Sequence, residues 1–384
     1  MKSALVQIFI KVKDPRIDRR KKYSLLEILI VTIASVMCGA ETWNDVEDYG
    51  NSLLERLRQM GLELSNGIPS HDTFRRVFSL INPIEFQKIF FEWASFARSS
   101  IDKGVIAIDG KTLCGAFGEG EKKSSIHMVN AWATEAGICL GQLRSSGKSN
   151  EIETIPILID LLKLKKENIV TIDAMGCQKK IVEKIREKGA DYLIAVKGNQ
   201  ETLHQQVQNI FKISEEKNFK VYRISKHHTE EQKRGRKETR HYYTLQTLPA
   251  RLIGHLNLGN EWTDLNSITM VKTVRQLKNK KEVKSTRFYM SSLKAKAKDI
   301  APKIRSHWQI ENQLNWSMDV AFREDESRMR KENSPDNFGM VRRLVFNLLR
   351  TEPSKKSIRR KRKICGWDPN FLNKALIGQH LAAF

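Results

Sequence analysis

Apolar residues recur along this chain in two rhythms. Through the first hundred residues the spacing is three to four, and residues 24–40, 43–61, 69–78 and 83–99 each read as a helix. In the third, Ser70 or Asp72 supplies the amino-terminal cap, while Phe74, Val77, Phe78 and Ile81 make the apolar stripe. Arg75 and Arg76 then face outward. Residues 24–40 fall short of a full membrane span and carry Glu27, so a buried core helix is expected there. The basic run ahead of it lacks a signal-peptide arrangement, and no targeting segment is expected.

From residue 105 the rhythm changes. Strands are predicted at 105–109, 126–134, 137–145, 169–173 and 191–196, with helices at 151–164 and 178–188. A β-meander followed by alternating helix and strand is a mixed-sheet α/β pattern, and its element order is that of a ribonuclease H-like fold. Residues 200–300 interrupt it with strand-like runs at 241–245, 267–274 and 286–291 and the basic turn Lys278-Asn-Lys-Lys281, which reads as a β-rich insertion. A long helix at 299–322, another at 338–350 and a cationic tail containing Arg359-Arg-Lys-Arg-Lys363 complete the chain. The division that follows is a helical N-terminal domain at 1–100, the first part of a catalytic core at 101–200, the insertion at 201–298, the last core helices at 299–350 and a basic tail, read as a solvated arm, at 351–384.

Composition narrows the class. With 40% apolar and 29% charged residues the chain has the make-up of a soluble globular protein. Lys and Arg outnumber Asp and Glu by 67 to 44, a formal net charge of +23, so the summed field attracts phosphate and points to DNA. Arg75 and Arg76, on a short helix after a Gly-Ile-Pro turn, are compatible with helix-turn-helix contact to it. Cysteines 38, 114, 139, 177 and 365 form no CxxC pair and no metal-ligand spacing with His, and read as free thiols of a reducing cytoplasm. Neither a Gly-x-Ser-x-Gly elbow nor a paired Cys and His supports a serine or cysteine nucleophile.

Two of the predicted strands end in acid. Val105-Ile-Ala-Ile-Asp109 is followed by Gly and Ile169-Val-Thr-Ile-Asp173 by Ala, the way an α/β sheet delivers carboxylates to its carboxyl edge. If those strands are neighbours, Asp109 and Asp173 together with the helix-borne Glu311 can hold divalent metal. Mg²⁺ suits such a set because it takes hard oxygen ligands, often one or two carboxylates plus substrate phosphates. Two such ions, with Mn²⁺ able to substitute, would serve phosphodiester cleavage and strand transfer. Lys111 and Lys197 follow strand ends and can contact phosphate, and the face of Trp308, one turn before Glu311, can stack on an unpaired base.

Several ungapped stretches resemble bacterial insertion-sequence transposases of the D-D-E type, the H-repeat-associated subgroup in particular: Ile106-Ala-Ile-Asp-Gly-Lys-Thr112, Lys148-Ser-Asn-Glu151, Thr171-Ile-Asp-Ala-Met-Gly-Cys177, Ala190-Asp-Tyr-Leu-Ile-Ala-Val-Lys-Gly-Asn199 and Arg305-Ser-His-Trp-Gln-Ile-Glu-Asn312. The resemblance covers nearly the whole chain. It implies a ribonuclease H-like core, a β-rich insertion before the last catalytic helix, Mg²⁺ use, and cut-and-join chemistry on double-stranded DNA at element ends and on target DNA. A homo-oligomer assembled on DNA, in the bacterial cytoplasm and nucleoid and without a membrane, is expected. Asp109, Asp173 and Glu311 match the family's acids. The helical motif that related transposases write as Tyr, Arg, Glu, Lys keeps only its Glu, with Ile304, His307 and Met318 at the other places and Arg305 and His307 as partial substitutes.

Other acids lie near plausible positions. Glu151 opens a helix, where the helix dipole stabilises it without metal. On one continuous helix Glu311 and Asp319, eight residues apart, cannot both reach one metal pair. Asp319 is therefore expected to pair with Arg323, and Glu326 to be a bystander. Two alternatives to a transposase are a ribonuclease H-like nuclease without joining activity and a catalytically inactive DNA-binding relic.

Overall fold

A computed structural model describes residues 4–19, 21–97, 103–113, 126–145, 150–233, 235–246, 262–277 and 282–377. Cys114, Lys148 and the basic turn at 278–281 lie outside them. The chain divides into two compact units: Met1–Ile101, Gly110–Asn150 and Ile310–Phe384 form the first, Asp102–Asp109 and Glu151–Gln309 the second. The segments expected as a separate N-terminal domain and a separate tail therefore share one unit.

In the first unit, α1 (Ala4–Phe9) precedes α2 (Leu25–Cys38), whose Ser24 and Glu27 form a reciprocal capping box. Every residue from Ile28 to Cys38 is buried, which is why this helix is apolar all round. No single helix among the described residues is long and apolar enough to cross a membrane. α3 (Trp43–Gln59) starts at a second capping box, Thr42 with Asp45, and α4 (His71–Leu80) buries Phe74, Val77 and Phe78 as its spacing predicts. Arg75 and Arg76 are exposed. Ser70 sits at the cap position but makes no side-chain capping bond.

After α5 (Pro83–Ala97) comes β1 (Gly104–Leu113), the strand common to both units, then the antiparallel pair β2 (Ile126–Ala133) and β3 (Ile138–Ser145). Packing on β3 is close: a Cβ at Gly141 would stand 2.3 Å from the Phe91 ring of α5. α11 (Ser334–Thr351) crosses the same strand, with Asn347 donating to the Cys139 carbonyl at 2.7 Å and accepting from the Cys139 N–H at 2.8 Å. Residues 353–377 are no solvated arm. They form α12 (Ile358–Trp367) and α13 (Pro369–Ile377); Lys361 and Arg362 are buried, donating to carbonyls of Leu349 and Glu352 and of Val36 and Ala40 respectively, while Arg359, Arg360 and Lys363 stay exposed.

In the second unit, α6 (Glu151–Leu161) leads to β4 (Asn168–Ile172), α7 (Lys179–Glu187) and β5 (Asp191–Val196). β1, β4 and β5 are parallel neighbours. The expected insertion does not stand apart. Its strands β6 (Ile224–Lys233), β7 (Arg236–Gln246), β8 (Ser267–Leu277) and β9 (Val283–Ser291) are antiparallel and continue the sheet through β9, which pairs with β5 from Leu193↔Ser291 to Val196↔Phe288. Strand order is β3-β2-β1 on one side of β1 and β1-β4-β5-β9-β8-β7-β6 on the other, a mixed sheet whose first five strands have the ribonuclease H-like arrangement. α8 (Glu201–Glu216), missed in the sequence, is legible afterwards in the buried spacing of Leu203, Val207, Ile210, Phe211 and Ser214.

The long helix expected at 299–322 is broken. α9 (Ala297–His307) gives way to a π-helical turn at Ile310–Asn315, then α10 (Trp316–Phe322). The continuous-helix geometry used to separate Glu311 from Asp319 therefore does not apply.

Candidate active site

The register of β1 and β4 sets the site. Val105 pairs with Ile169 and Ile108 with Ile172, so Asp109 and Asp173 are the next residues at the same level of two adjacent parallel strands. β4 ends at Ile172, so Asp173 leaves the sheet at its carboxyl edge, whereas β1, expected to end at Asp109, runs on to Leu113 and carries Asp109 within the strand. Asp173 also caps the 3-10 turn Ala174–Gly176, its Oδ1 accepting from the Met175 N–H at 2.9 Å. That turn folds back tightly on β4: a Cβ at Gly176 would lie 2.2 Å from Ile172 Cγ2, so only glycine fits. The loop after β5 holds it from the other side, Asn199 donating to the Ala174 carbonyl at 2.6 Å and Gln200 to that of Cys177 at 2.9 Å.

Burial pushes the Asp173 carboxyl above its ordinary range, and the nearby Glu151 charge adds to that. The amides of Met175 and Gly176 and the Lys197 ammonium pull the other way. Glu151, set aside in the sequence as a helix-dipole acid, is buried at the start of α6 with its charge acting on Asp173. An acid at the mouth of an apolar helix was the signal; linear spacing could not say that it would be buried or which acid it would face. Among the described residues no group of three or more His, Cys, Asp or Glu forms a ready metal cage. The donor set that exists, hard carboxylate oxygens at one level of two neighbouring strands, fits Mg²⁺, which completes its shell with water and substrate phosphate rather than an all-protein cage.

Other candidates find different surroundings. His307 Nδ1 lies 3.1 Å from Thr171 Oγ1 on β4, and burial lowers its pKa to about 4, so the ring is neutral at neutral pH. It cannot replace a phosphate-binding arginine as a cation. Arg305 is engaged with Glu231 of β6 at 3.3 Å, and the Arg287 guanidinium covers one face of Trp308, 4.8 Å from the ring centre, where a base was expected. Lys197 is exposed beside Asp173, as a phosphate-contacting lysine requires. Glu311 is exposed on the π-helical turn, four residues after His307 and in the first unit.

Lys111 departs most from expectation. It is 8% exposed and its ammonium is paired with Asp319, with Glu324 at 3.3 Å and with Asp325 at 3.7 Å. Asp319 thus pairs with Lys111, whereas Arg323 pairs with Glu326 and with Glu41 at 3.4 Å. Glu324, fully buried, also meets Arg343 in a two-pronged pair, one contact being 3.1 Å, and Arg343 Nε donates to Asn130 at 2.9 Å. Burial opposes ionisation of Glu324, yet Arg343 and Lys111 outweigh it and hold the carboxyl down at about 2. These ions lock β1, β2, α10 and α11 of the first unit together. The described cysteines are all buried and free, and burial pushes Cys38, Cys139 and Cys177 up to about 12, so none is a nucleophile.

Comparison with known proteins gives the family. Residues 6–94 match the DDE_Tnp_1-associated family and residues 100–348 the Transposase DDE domain. The chain is 40% identical over 368 residues to the "Putative transposase YncI" of Escherichia coli O157:H7, covering 95% of this chain and 92% of that one. It is 38% identical over 377 residues to the "H repeat-associated putative transposase YhhI" of Escherichia coli K12, covering 97% of both. Among solved structures, a piggyBac transposase synaptic complex with hairpin DNA aligns with 98% of this chain and 80% of its own at a TM-score of 0.40 and 12% identity. With a family match running from the first helices to α11 and two aspartates level on neighbouring strands, the chain belongs to the DDE-domain transposases and is similar to their H repeat-associated members.

Proposed function

We propose that this protein cleaves and joins DNA at the ends of an insertion sequence by Mg²⁺-dependent D-D-E chemistry, with Asp109, Asp173 and Glu311 as the acids. The observation that carries the reading is the register of β1 and β4, which brings Asp109 level with Asp173. Glu311 enters from the likeness of residues 305–312 to the family's helical motif. A divalent cation bound there supplies activation of the attacking hydroxyl and neutralises charge on the scissile phosphate. The protein's own residues prepare the place. The amides of Met175 and Gly176 orient Asp173, Asn199 and Gln200 fix the turn that carries it, and Lys197 offers its charge to a phosphate. Neutral His307 fastens α9 to β4 through Thr171 without adding charge to the site.

Incubating the protein with its own flanking genomic DNA and Mg²⁺ and mapping the ends tests this. Cuts at the element boundaries and joined products are expected. Cuts without joined products would leave a nuclease, and binding that persists in EDTA without nicking on Mg²⁺ addition would leave an inactive relic.

A further inference from the structure

In the first unit a cleft of about 1380 Å³ is bounded by the start of α3, by α4, and by the segment 323–334. Six cations line it, Arg75, Arg323, Arg328, Arg330, Lys331 and Arg342, against the two carboxylates Glu41 and Glu326. Some are already engaged: Arg75 with Asp72 at 2.7 Å, Arg323 with Glu326, and Arg342 over the Phe338 ring at 4.6 Å. Arg328, Arg330 and Lys331 make no ion pair among the described residues and are exposed. The N-terminus of α11 opens into the same cleft. Ser334, its first residue, is 1% exposed, and its hydroxyl has no hydrogen-bond partner among the described residues. The helix start itself offers little, because the Ser334 N–H is bonded to the Lys331 carbonyl at 2.9 Å and Pro335 has none; the buried unpartnered hydroxyl and three cations without an ion pair are the recognition elements of a phosphate group.

The walls are rigid. Arg323 and Glu332, with φ of 47° each, bracket the segment in the left-handed region, a conformation held only where surroundings fix it. Glu324 anchors one end in the buried pair with Arg343. At the other end Asn337 donates to the Phe78 and Ile81 carbonyls at 2.7 and 2.9 Å, tying α11 to α4. Between these anchors the backbone of residues 327–330 is irregular and hydrogen-bonded to no strand, so its side chains are free to follow a ligand.

We infer that this cleft binds the phosphodiester backbone of DNA, with Arg328, Arg330 and Lys331 neutralising phosphates and the Ser334 hydroxyl donating to one of them. The inference rests on the transposase reading for the identity of the polyanion and adds where that polyanion is held. Backbone contacts of this kind position the duplex without reading its sequence.

The test is equilibrium binding of a fluorescent duplex by anisotropy in EDTA, over a range of salt, for the wild-type chain and three variants. The triple variant Arg328→Gln, Arg330→Gln, Lys331→Gln should flatten the slope of log K against log salt by roughly 2 to 3, at about 0.9 for each phosphate no longer neutralised. Ser334→Ala should weaken binding severalfold with the slope nearly unchanged. A comparator, Lys212→Gln, Lys217→Gln, Lys220→Gln, removes three exposed lysines of the second unit. An unchanged slope in the cleft triple, or equal flattening in the comparator, overturns the inference. Because EDTA keeps metal out of this assay, failure of the catalytic reading shows separately, as wild-type binding that depends on the cleft but yields no cut ends with Mg²⁺.

Discussion

Thr171 and His307 are joined by a hydrogen bond of 3.1 Å between the hydroxyl of β4 and the imidazole of α9, two residues before Asp173 and four before Glu311. The ring that makes it is held neutral, its pKa lowered by burial to about 4. Unfolding restores the ordinary value, so the unfolded chain binds the extra proton between those limits. Stability therefore falls as pH drops from about 6.5 to 4, by on the order of 2 kcal/mol for this group. Urea midpoints of wild type and His307→Gln across that window should converge at low pH; parallel curves would remove His307 as the cause.

Asp109→Asn and Asp173→Asn should each cost several kcal/mol of transition-state stabilisation, roughly a thousandfold or more in cleavage rate. DNA affinity should hold, because cations bind the backbone and the acids bind metal. Nicking assays and gel shifts on the same preparations decide it. Normal nicking by either variant would falsify the site.

Glu311→Gln should eliminate metal-dependent cleavage, whereas Glu326→Gln, exposed and paired with Arg323, should cut almost normally. Asp319→Asn should keep partial activity and lose some stability, since it deprives the buried Lys111 of one partner. Rates and melting temperatures read side by side separate the two effects. A dead Asp319→Asn enzyme with unchanged stability would move the third acid to Asp319.

Glu151→Gln removes the negative charge that acts on Asp173. If that charge helps to hold a cation, terbium luminescence should report metal binding weakened by about tenfold, the usual effect of an outer partner. Binding equal to or tighter than wild type would make Glu151 a purely structural acid.

Glu324→Gln leaves Arg343 and Lys111 buried with too little negative charge, and should destabilise the chain by about 3 to 5 kcal/mol. The wild-type contribution sits above the ordinary Glu pKa of 4.5 and is lost as pH falls towards about 2, the value to which this carboxyl is held. Acid-induced unfolding followed by circular dichroism should show wild type and variant approaching one another over that range. Equal stability at neutral pH would show that the network is dispensable.

By itself the sequence determined the local elements, because they depend on neighbours along the chain: the stripe of Phe74, Val77 and Phe78, the capped α2 buried from Ile28 to Cys38, and two β-branched runs leading into Asp109 and Asp173, although not where the first of those strands ends. The order of the first five strands also came through, since consecutive antiparallel strands followed by helix and strand leave few ways to build one sheet; that β6 to β9 extend that sheet did not. Only tertiary structure decided which side chains were free. Lys111, Arg305, His307 and Trp308 all looked available for DNA, yet Lys111 is drawn into a carboxylate cluster more than two hundred residues away, Arg305 pairs with Glu231, His307 is neutralised by burial and Trp308 lies under Arg287. Charge pairing and desolvation depend on distance in space, and a residue's sequence neighbours carry almost none of that information. The same reason hid the cleft, whose cations Arg328, Arg330 and Lys331 look like an ordinary polar loop until α4 and the start of α11 close around them.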